Sequence, residues 1–377
     1  MKTARPEEYT RNQVMFLAFE LSAKKWKVGT TIGIGQKPRE HSIDAGDLEG
    51  LLKEIADAKA RFGLPADTRV VSCYEAGRDG FWLDRWLRKQ KIENVVIDPA
   101  SVHVDRRKSK AKTDRLDLGK LLSTLIRWYD GEPKMWSVVR VPSVEDEDDR
   151  QLHRELQSLK KEQTRHVNRI KSLLVSQGAE LAIRKNFVEM LKRCRLWDGS
   201  PLPEHLVGRL EREYQRLEIV RQQILQLEAE RREALKTSTD ENVEKVREMK
   251  RLRGIGIESS WLFVMEFFGW REFENRRQVG SLAGLTPTPH ESGAMSRELG
   301  IDKAGNPRIR SMAIEIAWSW LRFQPQSELS LWFERRFGSG GKRARKIGIV
   351  ALARRLLVAL WRFVDQGVVP AGAVLTK

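Results

Sequence analysis

Two runs of mostly apolar residues, spaced three, four or seven apart, constrain the middle of this 377-residue chain more than any other feature. Such spacing gives a helix one apolar stripe and leaves its other faces charged. The runs consist of Leu152, Leu156, Leu159, Gln163, Val167, Ile170 and Leu174, and of Leu206, Leu210, Leu217, Val220, Ile224 and Leu227. The proline-containing stretch GSPLPEH (199–205) separates them. We therefore predict a helical hairpin or coiled coil within residues 145–250, formed inside one chain or between subunits.

The first third of the chain alternates between short apolar runs and amphipathic segments. These patterns predict strands at 14–21, 25–35, 68–76 and 93–98, and helices at 47–62, 81–90 and 112–126. An opening hairpin followed by alternating helices and strands is typical of a mixed sheet with helices packed on it. We expect an α/β fold here and all-α structure elsewhere, with domains at residues 1–130, 131–250 and 251–377.

The C-terminal region is basic, rich in glycine and tryptophan, and mostly helical in pattern. It opens with LRGIGIESSWLFVMEF (252–267), which fits a helix-hairpin-helix turn whose backbone N–H groups approach a phosphate. A tight turn between two helices fits almost as well. GSGGKRARK (338–346) lacks the spacing of a phosphate-binding loop, and we interpret it as a flexible basic loop that contacts a nucleic-acid backbone. Tryptophans at helical spacings, such as Trp318, Trp320 and Trp332, are predicted to be core.

The charge balance predicts a polyanionic partner. Lys and Arg total 69 against 52 Asp and Glu, which gives a formal net charge of +17 and a pI near 9.9. Such an excess is typical of proteins that bind nucleic acid or another anionic surface. The run RRKSKAKTDR (106–115) concentrates this charge, and it makes Arg106, Arg107, Lys108, Lys110, Lys112 and Arg115 candidate nucleic-acid contacts.

Cysteine usage and hydropathy indicate the compartment. Cys73 and Cys194 are too few for a disulfide scaffold or a zinc cluster, so a reducing cytoplasm is expected. The N-terminal MKTARPEEYTRNQ lacks the apolar core of a signal peptide. The apolar stretch IGIVALARRLLVALW (347–361) is too short to cross a bilayer and is interrupted by two arginines. It predicts a buried or partner-facing helix.

Four acidic residues form a candidate metal site. Asp114 and Asp117 are three apart in a predicted helix and share one face, so both can reach one divalent ion. Glu20 and Glu75 each stand where a predicted strand ends, and ligand sites of α/β sheets lie outside the carboxyl ends of strands. Mg²⁺ or Mn²⁺, bound by carboxylate oxygens, would suit phosphoryl transfer. The alternative is that these acids are solvated surface residues.

At this point the chain resembles the insertion sequence 110 family of transposases. The N-terminal motifs that carry the resemblance are YEAGRDGFWLDRWL (74–87), VVIDPASV (95–102) and KTDRLD (112–117). VRVPSVEDEDDRQLHREL (139–156) resembles the family's linker into its coiled coil. GSLAGLTPTPHESG (280–293), DKAGNPRIR (302–310) and WFERR with GKRARKIGIVALARRLLVALW (332–336 and 341–361) resemble its C-terminal transposase domain.

The resemblance implies a RuvC-like (RNase H-like) domain with an acidic tetrad of Asp, Glu, Asp and Asp. Glu75, Asp114 and Asp117 match its last three positions, and Glu20 stands where the family pattern has aspartate. It further implies a nucleophilic serine in TPHESGAMSREL, where Ser292 matches and Ser296 is the competing candidate. Arg297, Lys303, Arg308 and Arg310 could stabilise charge on the attacked phosphate, whereas His290 is interpreted as incidental.

The expected activity is DNA recombination through a covalent phosphoserine intermediate, at a site that combines carboxylates of one subunit with the serine of another. The resemblance implies donor and target DNA and a bridge RNA as partners, a homo-oligomer from dimer to tetramer, and a location at the bacterial nucleoid. Two rivals stay open. One is a metal-dependent nuclease of the junction-resolvase type without a serine nucleophile, and the other is a non-catalytic nucleic-acid-binding protein.

Overall fold

The structure is a computed structural model that describes residues 14–78, 80–101, 114–292 and 295–376. Within this range, side chains are described except at residues 100, 114–117, 289–292 and 295–299. Contacts divide the chain into two compact units, Met1–Pro142 and Ser143–Lys377. The predicted domain boundaries at residues 130 and 250 stay predictions.

The first unit contains five strands and three α-helices among its described residues. In chain order they are β1 (Met15–Leu21), β2 (Lys25–Thr31), β3 (Arg39–Asp44), α1 (Leu48–Arg61), β4 (Val70–Glu75), α2 (Trp82–Lys89), β5 (Glu93–Ile97) and α3 (Asp114–Tyr129). The strand order across the sheet is β3-β2-β1-β4-β5. β1 pairs parallel with β4, and β4 with β5, whereas β2 pairs antiparallel with both β1 and β3. The predicted mixed sheet is confirmed.

Strand β3 was not predicted. Its sequence, REHSID, is exposed at every position except Ile43, because it lies at the edge of the sheet and joins it through backbone pairing with β2. The second predicted strand was also too long, since β2 ends at Thr31.

The two faces of the sheet carry separate cores because strand side chains alternate in direction. Leu17, Phe19 and Val28 face one way and pack with the buried residues of α1 and α2. Phe16, Ala18 and their neighbours face the other way and pack with Leu118, Leu121, Leu122, Leu125 and Ile126 of α3. One helix therefore covers the second face alone.

The second unit is mostly helical. Its helices are α4 (Val144–Asp148), α5 (Gln151–Val175), α6 (Phe187–Arg193), α7 (Glu204–Thr237), α8 (Glu241–Lys250), α9 (Ile257–Phe263), α10 (Arg276–Leu282), α11 (Pro307–Phe323), α12 (Glu328–Phe333) and α13 (Lys342–Gln366). Strands β6 (Pro287–Ser292) and β7 (Met295–Ile301) form an antiparallel ribbon between α10 and α11. The C-terminal region is mostly helical as expected, and this ribbon is an element that the sequence analysis did not predict.

The two predicted apolar runs pack against each other within the chain. Leu156 and Leu159 of α5 share one buried cluster with Val220 and Ile224 of α7. Farther along, Ile170 and Leu174 share another cluster with Leu210 and Leu217, to which α6 contributes Phe187 and Leu191. The predicted helical hairpin is confirmed in its intramolecular form.

The GIG turn of the C-terminal region joins α8 to α9. Gly254 adopts φ +91°, and a Cβ there would lie 2.9 Å from the Cβ of Phe323 in α11. The N–H of Gly256 donates to the Oγ of Ser259 at 3.1 Å. Gly254 therefore allows the turn to approach α11 closely. This favours a tight turn between helices over a turn whose glycines approach a phosphate.

Two further expectations at the C-terminus need correction. The segment predicted as a flexible basic loop is helical from Lys342 onward, since α13 begins there. Trp320 is fully buried as predicted, but Trp318 is 44% exposed and Trp332 is only partly buried.

The predicted helix at residues 347–361 is confirmed as part of α13, whose apolar face is buried. In the described part of the chain, no helix is both long and apolar enough to cross a membrane.

Candidate active site

Glu20, the next-to-last residue of β1, and Glu75, the last residue of β4, lie at the same level of two neighbouring parallel strands. The register of β1 and β4 pairs Phe19 with Tyr74, and each glutamate is the next residue in its strand. Glu20 is half-buried and Glu75 is exposed. The sequence prediction that both acids stand at strand ends is confirmed, and the sheet makes those two ends adjacent.

Both glutamates belong to the face of the sheet that α3 covers. Residues two apart in a strand share a face. The strand residues of β1 and β4 that pack against α3 include Phe16, Ala18, Val71 and Cys73. Glu20 and Glu75 each follow the last of these by two positions, so they continue the same face beyond the apolar core.

The direction of α3 brings its first turn to the same end of the sheet. Near its start, Leu118 lies against Gly29, where a Cβ would be 3.7 Å from the Leu118 Cβ, and Gly29 pairs with Ala18 in β1. At its end, the Tyr129 ring lies 5.4 Å from that of Phe16, and Arg69, just before β4, donates to the Tyr129 hydroxyl at 3.2 Å. The helix thus runs from the carboxyl ends of the strands back toward their amino ends.

Asp114 is the first residue of α3 and Asp117 lies in its first turn. The backbone of α3 therefore places positions 114 and 117 at the end of the sheet where Glu20 and Glu75 lie. The side chains of Asp114 and Asp117 are outside the described part of the structure. Among described side chains, no three His, Cys, Asp or Glu residues cluster as an ion site, so the predicted set depends on Asp114 and Asp117. Arg115 is also in this turn, and Arg106, Arg107, Lys108, Lys110 and Lys112 lie outside the described residues.

Two neighbours of the carboxylates were missed by the sequence reasoning. Lys27 of β2 pairs directly opposite Glu20, a relation that only the antiparallel register reveals. Cys73 lies two residues before Glu75 and is buried; burial, with a contribution from the charge of Glu75, raises the pKa of the Cys73 thiol. The raised pKa disfavours the thiolate form that nucleophilic attack by a cysteine needs.

Ser292 stands at the tip of the β6–β7 ribbon rather than in an irregular loop. It is the last residue of β6 and pairs with Met295, the first residue of β7. His290 pairs with Arg297, and Glu291 pairs with Ser296. Paired positions of a ribbon share a face and successive positions alternate, so positions 290, 292 and 297 lie on one face and 296 on the other. The backbone thus separates the two candidate serines.

A clamp of two glycines holds the base of this ribbon. A Cβ on Gly305 would lie 2.2 Å from the Leu282 carbonyl oxygen and 2.3 Å from the Gly284 nitrogen. Gly284 itself adopts φ +65°. Such contact between backbones is possible only with glycine at both positions. We call this contact the Gly284–Gly305 clamp.

The basic residues predicted to surround the serine differ in the hydrogen bonds that they form. Arg310 uses one guanidinium nitrogen to donate to the carbonyl of Lys303 at 3.1 Å, which supports the clamp. Arg308 donates to Gln157 of α5 at 3.2 Å. Lys303 is exposed in a left-handed conformation, φ +60°, and Arg297 occupies β7 with its side chain undescribed. Arg310 therefore has a structural role that the sequence pattern did not indicate.

Comparison with known proteins identifies the family. A model of the transposase IS116/IS110/IS902 family matches residues 246–330, which include the ribbon and the clamp. The putative transposase y4rJ of Sinorhizobium fredii is 42% identical over 390 aligned residues, covering 98% of each chain. The chain belongs to the IS116/IS110/IS902 family of transposases.

More distant members of the IS116/IS110/IS902 family match shorter parts of the chain. The transposase for insertion sequence element IS1328 of Yersinia enterocolitica is 24% identical over 220 residues, or 58% of this chain and 63% of its own length. The transposase for element IS1111A of Coxiella burnetii is 26% identical over 231 residues, or 60% and 61%. The predicted resemblance is thereby confirmed at the level of family: the chain is a transposase of a mobile element.

Proposed function

We propose that this transposase cuts and rejoins DNA at a composite site. One subunit contributes the carboxylates Glu20, Glu75, Asp114 and Asp117, and another contributes Ser292. The observation that carries the proposal is the matched position of Glu20 and Glu75 at adjacent strand ends, on the face covered by the helix that begins at Asp114. The strand order β3-β2-β1-β4-β5 supports assignment of the first unit to the RNase H-like (RuvC-like) fold.

The carboxylates suit a hard divalent cation, Mg²⁺ or Mn²⁺. All four residues offer oxygen ligands, and two of them stand side by side at the ends of β1 and β4. Such an ion would supply Lewis acidity that stabilises charge on the scissile phosphate. Glu20 is one methylene longer than the aspartate of the family pattern, and it follows the last fully buried residue of β1, Phe19.

In the proposed reaction, the Ser292 Oγ attacks a DNA phosphorus. A P–O bond to serine forms, the P–O bond to one deoxyribose oxygen breaks, and the serine proton ends on that leaving oxygen. A sugar hydroxyl of another DNA strand then attacks the phosphorus of the phosphoserine. A P–O bond to the sugar forms, the P–O bond to serine breaks, and the hydroxyl proton ends on the serine Oγ. Because each step exchanges one phosphate ester for another, no external energy source is required. Position 297, on the same ribbon face as position 292, places an arginine near this charge.

We further propose that a structured bridge RNA pairs with donor and target DNA, and that the protein acts as a dimer to tetramer at the bacterial nucleoid. The net charge of +17 supports polyanionic partners, and the guide role rests on the family resemblance. In such a scheme base pairing reads sequence and the protein reads backbone and shape. Sequencing the RNA that copurifies with the protein tests this part, because a defined transcript from the flank of the element is expected.

A recombination assay with matched serine variants tests the composite site. Ser292→Ala is expected to lower recombination by about three orders of magnitude or more, since loss of a nucleophile removes the covalent route. Ser296→Ala serves as the control and is expected to stay near wild type, because its position faces away from position 292. Asp114→Asn is expected to lose activity as Ser292→Ala does. Cleavage that survives in Ser292→Ala would favour the metal-dependent nuclease, and wild-type recombination there would refute the proposal.

A further inference from the structure

A large basic groove lies in the second unit. It encloses about 1140 Å³ between α10, α12, α13 and the segment after α13. Eight of its lining residues are Arg or Lys, and Glu328 is the one acidic residue in that lining. A concave surface with such an excess of one sign raises the local concentration of the opposite charge. We call this cavity the basic groove.

Helix α13 supplies a continuous row of the cations. Its contributions are Arg343, Lys346, Arg354, Arg355 and Arg362. At a rise of 1.5 Å per residue, the row from Arg343 to Arg362 extends over about 28 Å. The remaining cations of the lining are Arg276 and Arg277 of α10 and Arg335, which lies in the turn Glu334–Gly338 after α12. A row of this length suits an elongated polyanion with repeated charges, and exceeds what one isolated anion would need.

Within the described part of the chain, little counter-charge lies close to these cations. Among the described residues, none of the eight forms an ion pair with a carboxylate. Elsewhere in the same unit several arginines are paired one turn away, as in Arg216 with Glu213 at 3.0 Å and Arg221 with Glu218 at 2.7 Å. The groove therefore holds charge that an external partner can compensate.

The floor of the groove is apolar and partly aromatic. Leu329, Trp332, Ile347, Val350 and Val358 line it, and Ile347 is 52% exposed. The Trp332 ring is only partly buried, and the Arg355 guanidinium lies 4.1 Å from its centroid. A duplex keeps its bases stacked inside and presents phosphates and sugars, so it would leave this floor uncovered. Unpaired bases can stack on an indole and an arginine while their phosphates follow the cations.

One end of the groove reaches the ribbon that carries Ser292. Pro287, at the start of β6, and Gly300 and Ile301, at the end of β7, line it. These residues form the base of the ribbon, whereas Ser292 lies at its tip. A strand held in the groove would thus be anchored beside the element that presents the serine.

We propose that the basic groove binds an unpaired segment of nucleic acid, with phosphates along the α13 cations and bases on Trp332 and the apolar floor. The site is separate from the carboxylates and the serine, and its occupancy does not depend on the chemistry proposed for them. An acidic amphipathic helix of a second copy fits less well, because it would need to bring about seven more carboxylates than cations to balance the lining.

Equilibrium binding to the full-length protein tests this proposal. Fluorescence anisotropy would compare labelled oligo-dT and oligo-U with a DNA duplex of equal length, and the two single strands distinguish DNA from RNA. The triple variant Arg343→Gln, Lys346→Gln, Arg362→Gln is expected to weaken single-strand binding about tenfold or more. Because three phosphate contacts are lost, the slope of log Kd against the logarithm of the salt concentration should fall by about 2 for this variant. Duplex binding should change much less.

Two further variants separate groove binding from a general loss of charge. Arg232→Gln, Lys236→Gln, Lys250→Gln removes the same charge from exposed positions on α7 and α8, and should stay within twofold of wild type. Trp332→Leu keeps an apolar side chain but removes the indole ring, and it should weaken single-strand binding without flattening the salt dependence. The proposal is overturned if the triple variant of the groove binds single strands as tightly as the control triple variant does. It is also overturned if the groove variant loses affinity for the duplex to the same extent as for single strands. A changed oligomeric state with unchanged oligonucleotide affinity would likewise overturn it, and would assign the groove to a second copy.

Discussion

Glu266 shows how single residues hold the helices of the second unit together. Its side chain is 1% exposed, in the π-helical turn Val264–Phe268 that follows α9. Arg154 of α5 donates to it through Nε at 2.6 Å, and the His153 Nε2 lies 2.9 Å away. Burial alone would raise the pKa of Glu266, but the hydrogen bonds from His153 and Arg154 outweigh it and hold that pKa well below its usual range. The ionised carboxylate therefore ties α5 to the C-terminal helices.

This arrangement predicts a defined pH dependence of stability. Because the folded pKa of Glu266 is depressed, its contribution is fully present above the ordinary glutamate pKa of 4.5 and is lost as pH falls below it. At pH 7, Glu266→Gln is expected to lower the free energy of unfolding by about 3 kcal/mol, since Arg154 loses a buried partner. Urea titrations at pH 7 and pH 3.5 should show the difference from wild type shrinking at the lower pH.

Glu233→Gln is the matched control, because Glu233 is exposed and its ion pair with Lys236 spans 3.7 Å. It should change stability little at either pH. This account of the buried carboxylate would be contradicted if Glu266→Gln were as stable as wild type at pH 7. It would also be contradicted if the two proteins differed in stability by the same amount at both pH values.

At the scale of elements, the ribbon that carries Ser292 depends on the Gly284–Gly305 clamp. A Cβ on Gly305 would meet backbone atoms at 2.2 and 2.3 Å, which cannot rotate away as a side chain could. Gly305→Ala is therefore expected to cost about 1–3 kcal/mol of stability and to shift the ribbon. Recombination should fall more than stability alone explains, which parallel urea titration and recombination assays would measure.

Gly33→Ala provides the control for this element, since nothing lies within 4 Å of a Cβ at Gly33 and its φ is not positive. It should behave as wild type in both assays. Equal stability and activity of Gly305→Ala and Gly33→Ala would show that the clamp does not position the ribbon.

The elements differ in how far the sequence predicts them. The α5–α7 hairpin follows directly from apolar spacing, because burial of one stripe per helix is a local and periodic signal. The edge strand β3 carries no such signal, since it buries little beyond Ile43. The ribbon was missed for a related reason. PTPHES contains two prolines, which are unusual in strands, and the residue spacing of neither segment indicates that β6 pairs with β7.

At the scale of the whole molecule, the sequence predicts which residues carry chemistry better than it predicts how they meet. Strand ends could be read from the chain, so Glu20 and Glu75 were found, but their adjacency required the parallel pairing of β1 with β4. The basic groove was not predicted, because its cations come from α10, the turn after α12 and α13, and they meet only when the chain folds. Side chains that gather from distant segments leave no local pattern.

The most direct test of the composite site is to trap its covalent intermediate. Protein incubated with its donor and target DNA, its copurified RNA and Mg²⁺ would be quenched with denaturant, and the DNA-linked peptide identified by mass spectrometry. The account predicts a nucleotide attached to Ser292, present in Ser296→Ala and absent in both Ser292→Ala and Asp114→Asn. Recombinant DNA formed without any protein-linked species, or a link that maps to another residue, would contradict it.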